Sequence, residues 1–340
     1  VRGGAPVMAG DGIGIGRWQT FIKGLYIKTF GLGGDSAVHY HDADLILEDY
    51  RVMPLCIVGA KYPAVAERLR EVFADYLRHT RFLHEGYLLL RDVSGSGRYN
   101  DFEKRFCDVL AAGPMLRRDA ALAMGKDEYT FDVSRLVDEG VVQVFGLTPT
   151  DIMHIRGDFG RYDVESARMG ARFVAANLEC SEEELCERVY EEVRRKLYLN
   201  IVAALLRHEN PDYEKNGRAE VAAGLALESY YRRRLGRGAG FMDVAFTTDL
   251  PLVRIGAPIR LILREVTGML WTVSSVPPDG GVAKAHGAVV GEVHLDGEVA
   301  VRPVFDTDGL GGYTVFRADG VRSFASRGGG GRVALERTLL

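Results

Sequence analysis

Four cysteines, two tryptophans and no long apolar run set the first limits on this 340-residue chain. Cys56, Cys107, Cys180 and Cys186 show no CxxC spacing and are too sparse for a disulfide scaffold. They read as reduced thiols in a reducing compartment, so the expected location is the cytoplasm. No apolar stretch reaches the length needed to cross a bilayer and no signal peptide is recognised, so no membrane partner is expected. An excess of charge of either sign is missing too: 43 basic against 47 acidic residues give a net charge of −4. That balance disfavours nucleic acid as a partner, the local cluster Arg232-Arg233-Arg234 notwithstanding. An initiator methionine is lacking, and Val1 to Val7 open directly on a Gly/Pro turn. The chain therefore reads as a fragment from which a strand has been cut, with a processed mature chain as the alternative.

Nearly half of the residues are hydrophobic and about a quarter charged, as in ordinary folded proteins. The length suits two modest domains, or one domain with a large insertion. Leu25 to Phe30 alternates like a half-buried strand, and Ala37–His41 with Leu45–Glu48 predicts a hairpin around Asp42-Ala43-Asp44. Pro63 opens a helical pattern over Ala64–Phe82. Thr148-Pro149-Thr150-Asp151 begins another helix with a hydroxyl cap, a first-turn proline and an acid. Ser181-Glu182-Glu183-Glu184 caps a long helix reaching about Arg207, whose Glu191-Glu192 and Arg194-Arg195-Lys196 clusters read as a solvated face. Strands return at Val244–Phe246 and Leu252–Ile255, then a helix at Ile259–Glu265, a small-residue helix at Ala283–Val290 and a hairpin from Val293–Val304 to Tyr313–Phe316. Residues 1–60 and 241–327 thus form a strand-rich portion, 61–240 a mainly helical insertion, and 328–340 a glycine-rich flexible tail.

The turn Gly31-Leu32-Gly33-Gly34-Asp35-Ser36 carries the clearest chemical signal. Glycines without a Cβ let backbone N–H groups converge on an anion, with Gly33 and Gly34 permissive and Ser36 a hydroxyl donor. Asp35 would repel a bare phosphate, so its use is through Mg²⁺ or its waters. No Gly-Lys-Ser/Thr follows and the next element is a strand, which excludes a Walker A loop and a dinucleotide fingerprint. A plain β-turn is the competing reading. His39, His41, Asp42 and Asp44 have spacing that could ligate a metal, but the solvated face and tip of a hairpin explain them better. Asp151 and His154 lie one helical turn apart, as an acid–base pair or metal ligands, or else as a helix cap beside a surface histidine. Cys56 has no base nearby in sequence and reads as a buried structural thiol. Gly256-Ala257-Pro258, between a strand and a helix, can lay flat backbone against an adenine or ribose.

A strand-flanked phosphate turn, a later strand–glycine–helix junction and a small-residue helix, in that order, follow the plan of actin-like, sugar kinase and Hsp70-type ATPases. The chain resembles the hydantoinase A / 5-oxoprolinase family of ATP-dependent enzymes. The matching stretches are Thr29–Val38, Met53–Cys56 with Lys61–Pro63, Leu147–His154, Pro251–Pro258 and Gly287–Gly291. It departs from the family in lacking the upstream Asp-Ile-Gly-Gly-Thr phosphate loop and the larger region before it. It also reads Gly-Leu-Gly-Gly-Asp-Ser where many members have Gly-Ala-Gly-Gly-Gly-Ser, and Lys284 where they have Asn.

The resemblance implies an α/β, actin-like ATPase fold, incomplete at the N-terminus, with a mainly helical insertion. It implies ATP and Mg²⁺ as cofactors, a small cyclic amide of hydantoin or 5-oxoproline type as substrate, and phosphorylation of the amide oxygen before hydrolysis. Gly33, Gly34 and Ser36 would hold phosphate oxygens, Asp35 would orient the metal-bound water, and Gly256, Ala257 and Pro258 would border the nucleoside. Asp151 and His154 would be catalytic. A hydantoinase B-type partner subunit and an oligomeric assembly also follow, and the isolated fragment would be inactive. A subunit of an ATP-dependent ketone carboxylase, a non-catalytic actin-like regulator and a folded remnant without function are the alternatives.

Overall fold

Alternation along three short strands decides how the centre of this chain is layered. The computed structural model describes residues 14–15, 18–19, 29–74, 84–236, 242–253, 260–275, 277, 282, 300–306, 309–317 and 320–325. It is mixed α/β and divides into two units, Val1–Gly281 and Val282–Leu340.

The first unit begins with a two-residue antiparallel pair, β1 (Gly14–Ile15) and β2 (Trp18–Gln19). The hairpin β3 (Ser36–His41) and β4 (Asp44–Arg51) follows, with Asp42 at its tip in the left-handed region at φ 53°. Next come β5 (Met53–Pro54), α1 (Leu55–Lys61) and α2 (Pro63–Ala74). The segment expected to be a helical insertion supplies three further strands: β6 (Gly86–Leu89), β7 (Met115–Leu116) and β8 (Val142–Gly146). Helices α3 (Asp101–Ala111), α4 (Arg117–Ala123) and α5 (Ser134–Asp138) lie among them. The four strands form one sheet in the order β5-β8-β6-β7, with β5 parallel to β8 and the other pairs antiparallel. The strand-rich start and the middle of the chain therefore share a sheet.

Successive residues of a strand face opposite sides. Tyr87, Leu89, Met115, Val142 and Val144 enter one core with Phe106, Leu110, Phe131 and Leu136 of the α3 and α5 side. Leu88, Leu116 and Phe145 enter the other, against Leu55 and Val58 of α1 and Leu69 of α2. That second core also takes Val38 and Leu47 of the hairpin and Phe173 and Val174 of α7 (Val164–Asn177). The result is helices on both faces of a short mixed sheet.

Two sequence-predicted caps are present. Thr148 caps α6 (Pro149–Arg156) through a reciprocal box with Asp151, and Ser181 Oγ accepts Glu184 N–H at the start of α8 (Glu182–Glu209). At 28 residues, α8 is about 42 Å long. Its first half packs Leu185, Val189 and Val193 into the core beneath the sheet. Its second half carries Tyr198 and Val202 into a third core, with Ala223 and Leu227 of α9 (Arg218–Arg234) and Val266 and Met269 of α10 (Arg260–Met269). A 3₁₀ turn, Pro211–Gly217, joins α8 to α9.

Two expectations need correction. The Arg194 to Lys196 cluster is not simply a solvated face: Arg194 is buried and pairs with Glu191 and Glu265, and Lys196 Nζ donates to the Leu47 carbonyl. Val244–Phe246 is not a strand. Val244 and Phe246 pack on the third core, and Val244 N–H donates to Ser229 Oγ at 3.2 Å rather than to a neighbouring strand. Downstream, β9 (Leu252–Val253) pairs in parallel with β10 (Ser274–Ser275). The described residues of the second unit form an antiparallel meander of β11 (Ala300–Asp306), β12 (Gly309–Arg317) and β13 (Gly320–Phe324), one strand more than the expected hairpin. Residues 283–290, expected to be helical, lie outside the described residues, as does the tail from 326 onward.

Phe145 is fully buried and sits against Gly86, where an added Cβ would stand 2.2 Å from the ring. Replacing it with alanine opens a cavity at the sheet centre, and Phe145→Ala should lower unfolding free energy by about 3–5 kcal/mol. Urea unfolding followed by circular dichroism checks this; a loss below about 1 kcal/mol would mean that the ring is not packed.

Candidate functional site

Strands β5 and β8 run side by side, and each passes directly into a helix at its carboxyl end: Pro54 into α1, and Leu147-Thr148 into α6. Two helix N-termini therefore open at one rim of the sheet, the position at which open α/β sheets bind ligands. The carboxylate of Asp151 ties them together. Oδ1 accepts Cys56 N–H at 2.7 Å, while Oδ2 accepts Leu55 N–H at 3.2 Å, Thr148 N–H at 2.9 Å and Thr148 Oγ1–H at 2.8 Å. The residue is wholly buried. Burial pushes its carboxyl above the usual range, and the bonds from Cys56, Thr148 and Leu55 oppose that shift without cancelling it. With four donors and no exposed surface, Asp151 is built to position two helices.

His154, one turn further on, is also buried. Its Nδ1 lies 2.8 Å from the Thr150 carbonyl and 3.7 Å from Cys56 Sγ, and its ring lies among Phe159 and Tyr162. A carbonyl can only accept, so Nδ1 carries the proton and cannot act as base toward the thiol. Burial and the neighbouring Asp151 raise the Cys56 pKa strongly, which keeps the sulfur protonated. Cys56, Asp151 and His154 meet in space without forming an activated nucleophile, and the expectation of a buried structural thiol matches the position of Cys56.

The glycine turn sits on the same rim. Thr150 N–H in the first turn of α6 donates to the Gly34 carbonyl at 2.8 Å, Val52 N–H donates to Asp35 O at 2.9 Å, and Val38 N–H donates to Leu147 O at 2.8 Å. A Cβ at Gly31 would fall 2.3 Å from the Asp49 carbonyl, so the turn can close here only with glycine. Gly33 N–H donates to Ser36 Oγ at 3.0 Å, and Ser36 is buried. Its hydroxyl thus shapes the turn from inside. Among the described residues nothing accepts the N–H groups of Gly34 and Asp35. The Asp35 side chain remains 40% exposed, with Arg51 Nε 3.7 Å from its carboxylate. Gly256, Ala257 and Pro258 lie outside the described residues.

A third group of polar residues at this rim was not anticipated. His39, expected on a solvated hairpin face, is buried, whereas His41 and Asp42 are exposed as foreseen. His39 Nε2 is 3.0 Å from Glu85 Oε1 and 2.8 Å from Tyr50 Oη. Glu85 lies over Gly146, the last residue of β8: a Cβ built there would be 3.6 Å from Glu85 Cγ. Burial works to raise the Glu85 pKa, but the bond and charge of His39, with His84 and Arg117, outweigh it and hold the carboxyl below its usual range. His84 is fully buried between His39 and Phe173, and neither ring nitrogen has a partner. Burial lowers its pKa to about 4. Sequence spacing gives no sign of the His39–Glu85 pair, since the two residues are 46 positions apart. Among the described residues no group of three or more His, Cys, Asp or Glu is arranged to hold a metal ion by itself. None of their helices is long and apolar enough to cross a membrane.

No protein-family profile, curated protein or solved structure matches this chain.

Truncating the shared cap has a defined cost. Asp151→Ala leaves the Leu55, Cys56 and Thr148 donors buried without acceptors, and should destabilise the chain by about 3 kcal/mol or more. A midpoint in urea shifted by less than a third of that would deny Asp151 its bridging role. The second expectation concerns pH. His84 has a depressed folded-state pKa, so its contribution is intact above the unfolded value near 6.5 and is lost as pH falls toward 4. The loss amounts to roughly 3 kcal/mol. His84→Phe should flatten the stability profile in that window; wild-type and variant curves that stay parallel there would contradict a neutral, buried His84.

Proposed function

We propose that this chain forms the nucleotide-side portion of an ATP-dependent enzyme that activates a cyclic amide by phosphorylating its carbonyl oxygen. One observation carries the reading. Three of the stretches on which the hydantoinase A / 5-oxoprolinase resemblance rests, around the glycine turn, Met53–Cys56 and Leu147–His154, converge at the carboxyl ends of one parallel strand pair. Segments almost a hundred residues apart meet there through backbone and carboxylate hydrogen bonds.

The residues at the outer edge suit a magnesium nucleotide. The Gly34 and Asp35 N–H groups are donors for phosphate oxygens. The Asp35 carboxylate is a hard oxygen ligand, and Mg²⁺ on nucleotides commonly takes one or two such carboxylates besides phosphate and water. Gly33 keeps that carboxylate open: a Cβ there would stand 2.8 Å from Asp35 Oδ1. When bound, the nucleotide would supply the phosphoryl group that makes an unreactive lactam carbon electrophilic. Arg51 balances the Asp35 charge, and Ser36 holds the turn in shape rather than reaching the ligand. Asp151 acts by fixing α1 and α6, while His39 can hold a proton at Nε2 between Glu85 and Tyr50.

Calorimetric titration with ATP in the presence and absence of Mg²⁺ tests the reading. Binding should require the metal, and Asp35→Ala should weaken it at least tenfold while leaving the circular dichroism spectrum unchanged. Equal affinity in the variant removes Asp35 from the site, and no binding under either condition overturns the proposal. In a chain joined to an upstream phosphate-loop region of the kind the resemblance implies, ADP release should depend on hydantoin or 5-oxoproline. Dependence on a ketone and bicarbonate instead would overturn the cyclic amide as substrate.

A further inference from the structure

One side of α9 displays groups that the other described residues do not engage. Leu225, Glu228, Arg232 and the C-cap residue Leu235 follow one another at helical spacing and so share a face. Leu225 and Leu235 are 53% and 62% exposed. Glu228 and Arg232 are one turn apart, yet neither forms an ion pair among the described residues. Acids nearby behave differently. Glu191 is held by Arg194 and the Tyr231 hydroxyl, Glu265 by Arg194, and Glu220 by Arg207.

This face borders an open groove of about 640 Å³ whose other wall is α8, with Glu191, Glu192, Arg195 and Leu199. Glu192 and Arg195 lie 3.8 Å apart and balance each other, which leaves Glu228 and Arg232 as the uncompensated charges along the groove. Gly224 lies in the same wall. A Cβ built on it meets nothing within 4 Å, so the chain's own packing does not call for glycine at this helix-interior position.

We propose that a second copy of this chain docks on this face, with α9 antiparallel to α9 about a two-fold axis that crosses the face midway between Glu228 and Arg232. The order apolar, acid, base, apolar is the antiparallel complement of itself. About that axis Leu225 of one copy meets Leu235 of the other, and Glu228 meets Arg232, each contact occurring twice. A two-fold interface requires this self-complementarity. A small ligand or an unrelated chain would not call for a mirrored order. Gly224 lets the approaching helix come close at the edge of the contact.

Sedimentation equilibrium on the whole chain, with charge-reversal variants, tests the assignment. The wild type should be a dimer. Glu228→Arg or Arg232→Glu alone sets like charges opposite each other and should raise the dimer Kd at least tenfold. The double reversal Glu228→Arg/Arg232→Glu should restore it to near the wild-type value. All three variants are at exposed or half-exposed positions, and circular dichroism confirms their folding. A wild-type monomer overturns the proposal and gives the groove to another partner. Single reversals that leave the dimer intact, or a double reversal no better than the singles, overturn it equally. Rescue by the double reversal is the result that a nonspecific effect of charge does not produce.

Discussion

The carboxylate of Asp151 is where the architecture of the first unit is tied together. A helix N-terminus leaves N–H groups without partners, and two such ends side by side at the rim of a sheet would leave several donors buried together. One carboxylate answers both: Leu55 and Cys56 at the start of α1, and Thr148 at the start of α6. Because α1 follows β5 and α6 follows β8, the same group also holds the carboxyl ends of the parallel pair in register. The hairpin then hangs from this joint through Val38 N–H on Leu147 O and Thr150 N–H on Gly34 O. The glycine turn takes its place on the rim from Asp151, by way of α6.

This dependence explains which features were legible in the sequence. Capping is local, so Thr148-Pro149-Thr150-Asp151 and Ser181 announced α6 and α8 correctly, as the segments 37–41 and 45–48 around Asp42-Ala43-Asp44 announced the hairpin. The second half of Asp151's work was invisible, because its other donors come from residues 95 and 96 positions away. The same holds for His39. Its spacing from His41 suggests a solvated face, and only Glu85 and His84, arriving with β6, make it a buried group. Arg194 read as part of a surface cluster until α10 brought Glu265 against it. Val244–Phe246 has the composition of a strand, but a strand requires a neighbour to pair with, and a helix surface took that place. Each difference comes from a partner remote in sequence.

The rim separates polar groups by depth. Asp151, His154 and Cys56 are sealed inside, with their hydrogen-bonding capacity largely spent on backbone. Asp35 and Arg51 stand outside, partly solvated and 3.7 Å apart. Between these levels lies His39, with one nitrogen shared by Glu85 and Tyr50 and the other without a partner. Groups that must reach a ligand belong to the outer set, and those that must hold a shape to the inner one. Asp35 and Asp151 therefore differ in depth, the first partly solvated beside Arg51 and the second sealed between two helix ends.

Helix α8 carries this arrangement beyond the sheet. Its first half seals the core beneath the rim, and its second half forms the third core with α9 and α10. At the changeover Arg194 is buried and paired with Glu191 of its own helix and Glu265 of α10, while Lys196 reaches the Leu47 carbonyl of the hairpin. A buried guanidinium requires paired carboxylates, and Arg194 takes one from its own helix and one from α10, which fastens α10 to α8. The hairpin that carries the glycine turn is thus fastened at two places, at α6 through backbone bonds and at α8 through Lys196. Helix α9 packs on α8 through Ala223, Leu227 and Tyr198 in the third core, and α8 also packs against β4 of the hairpin, so one helix touches both.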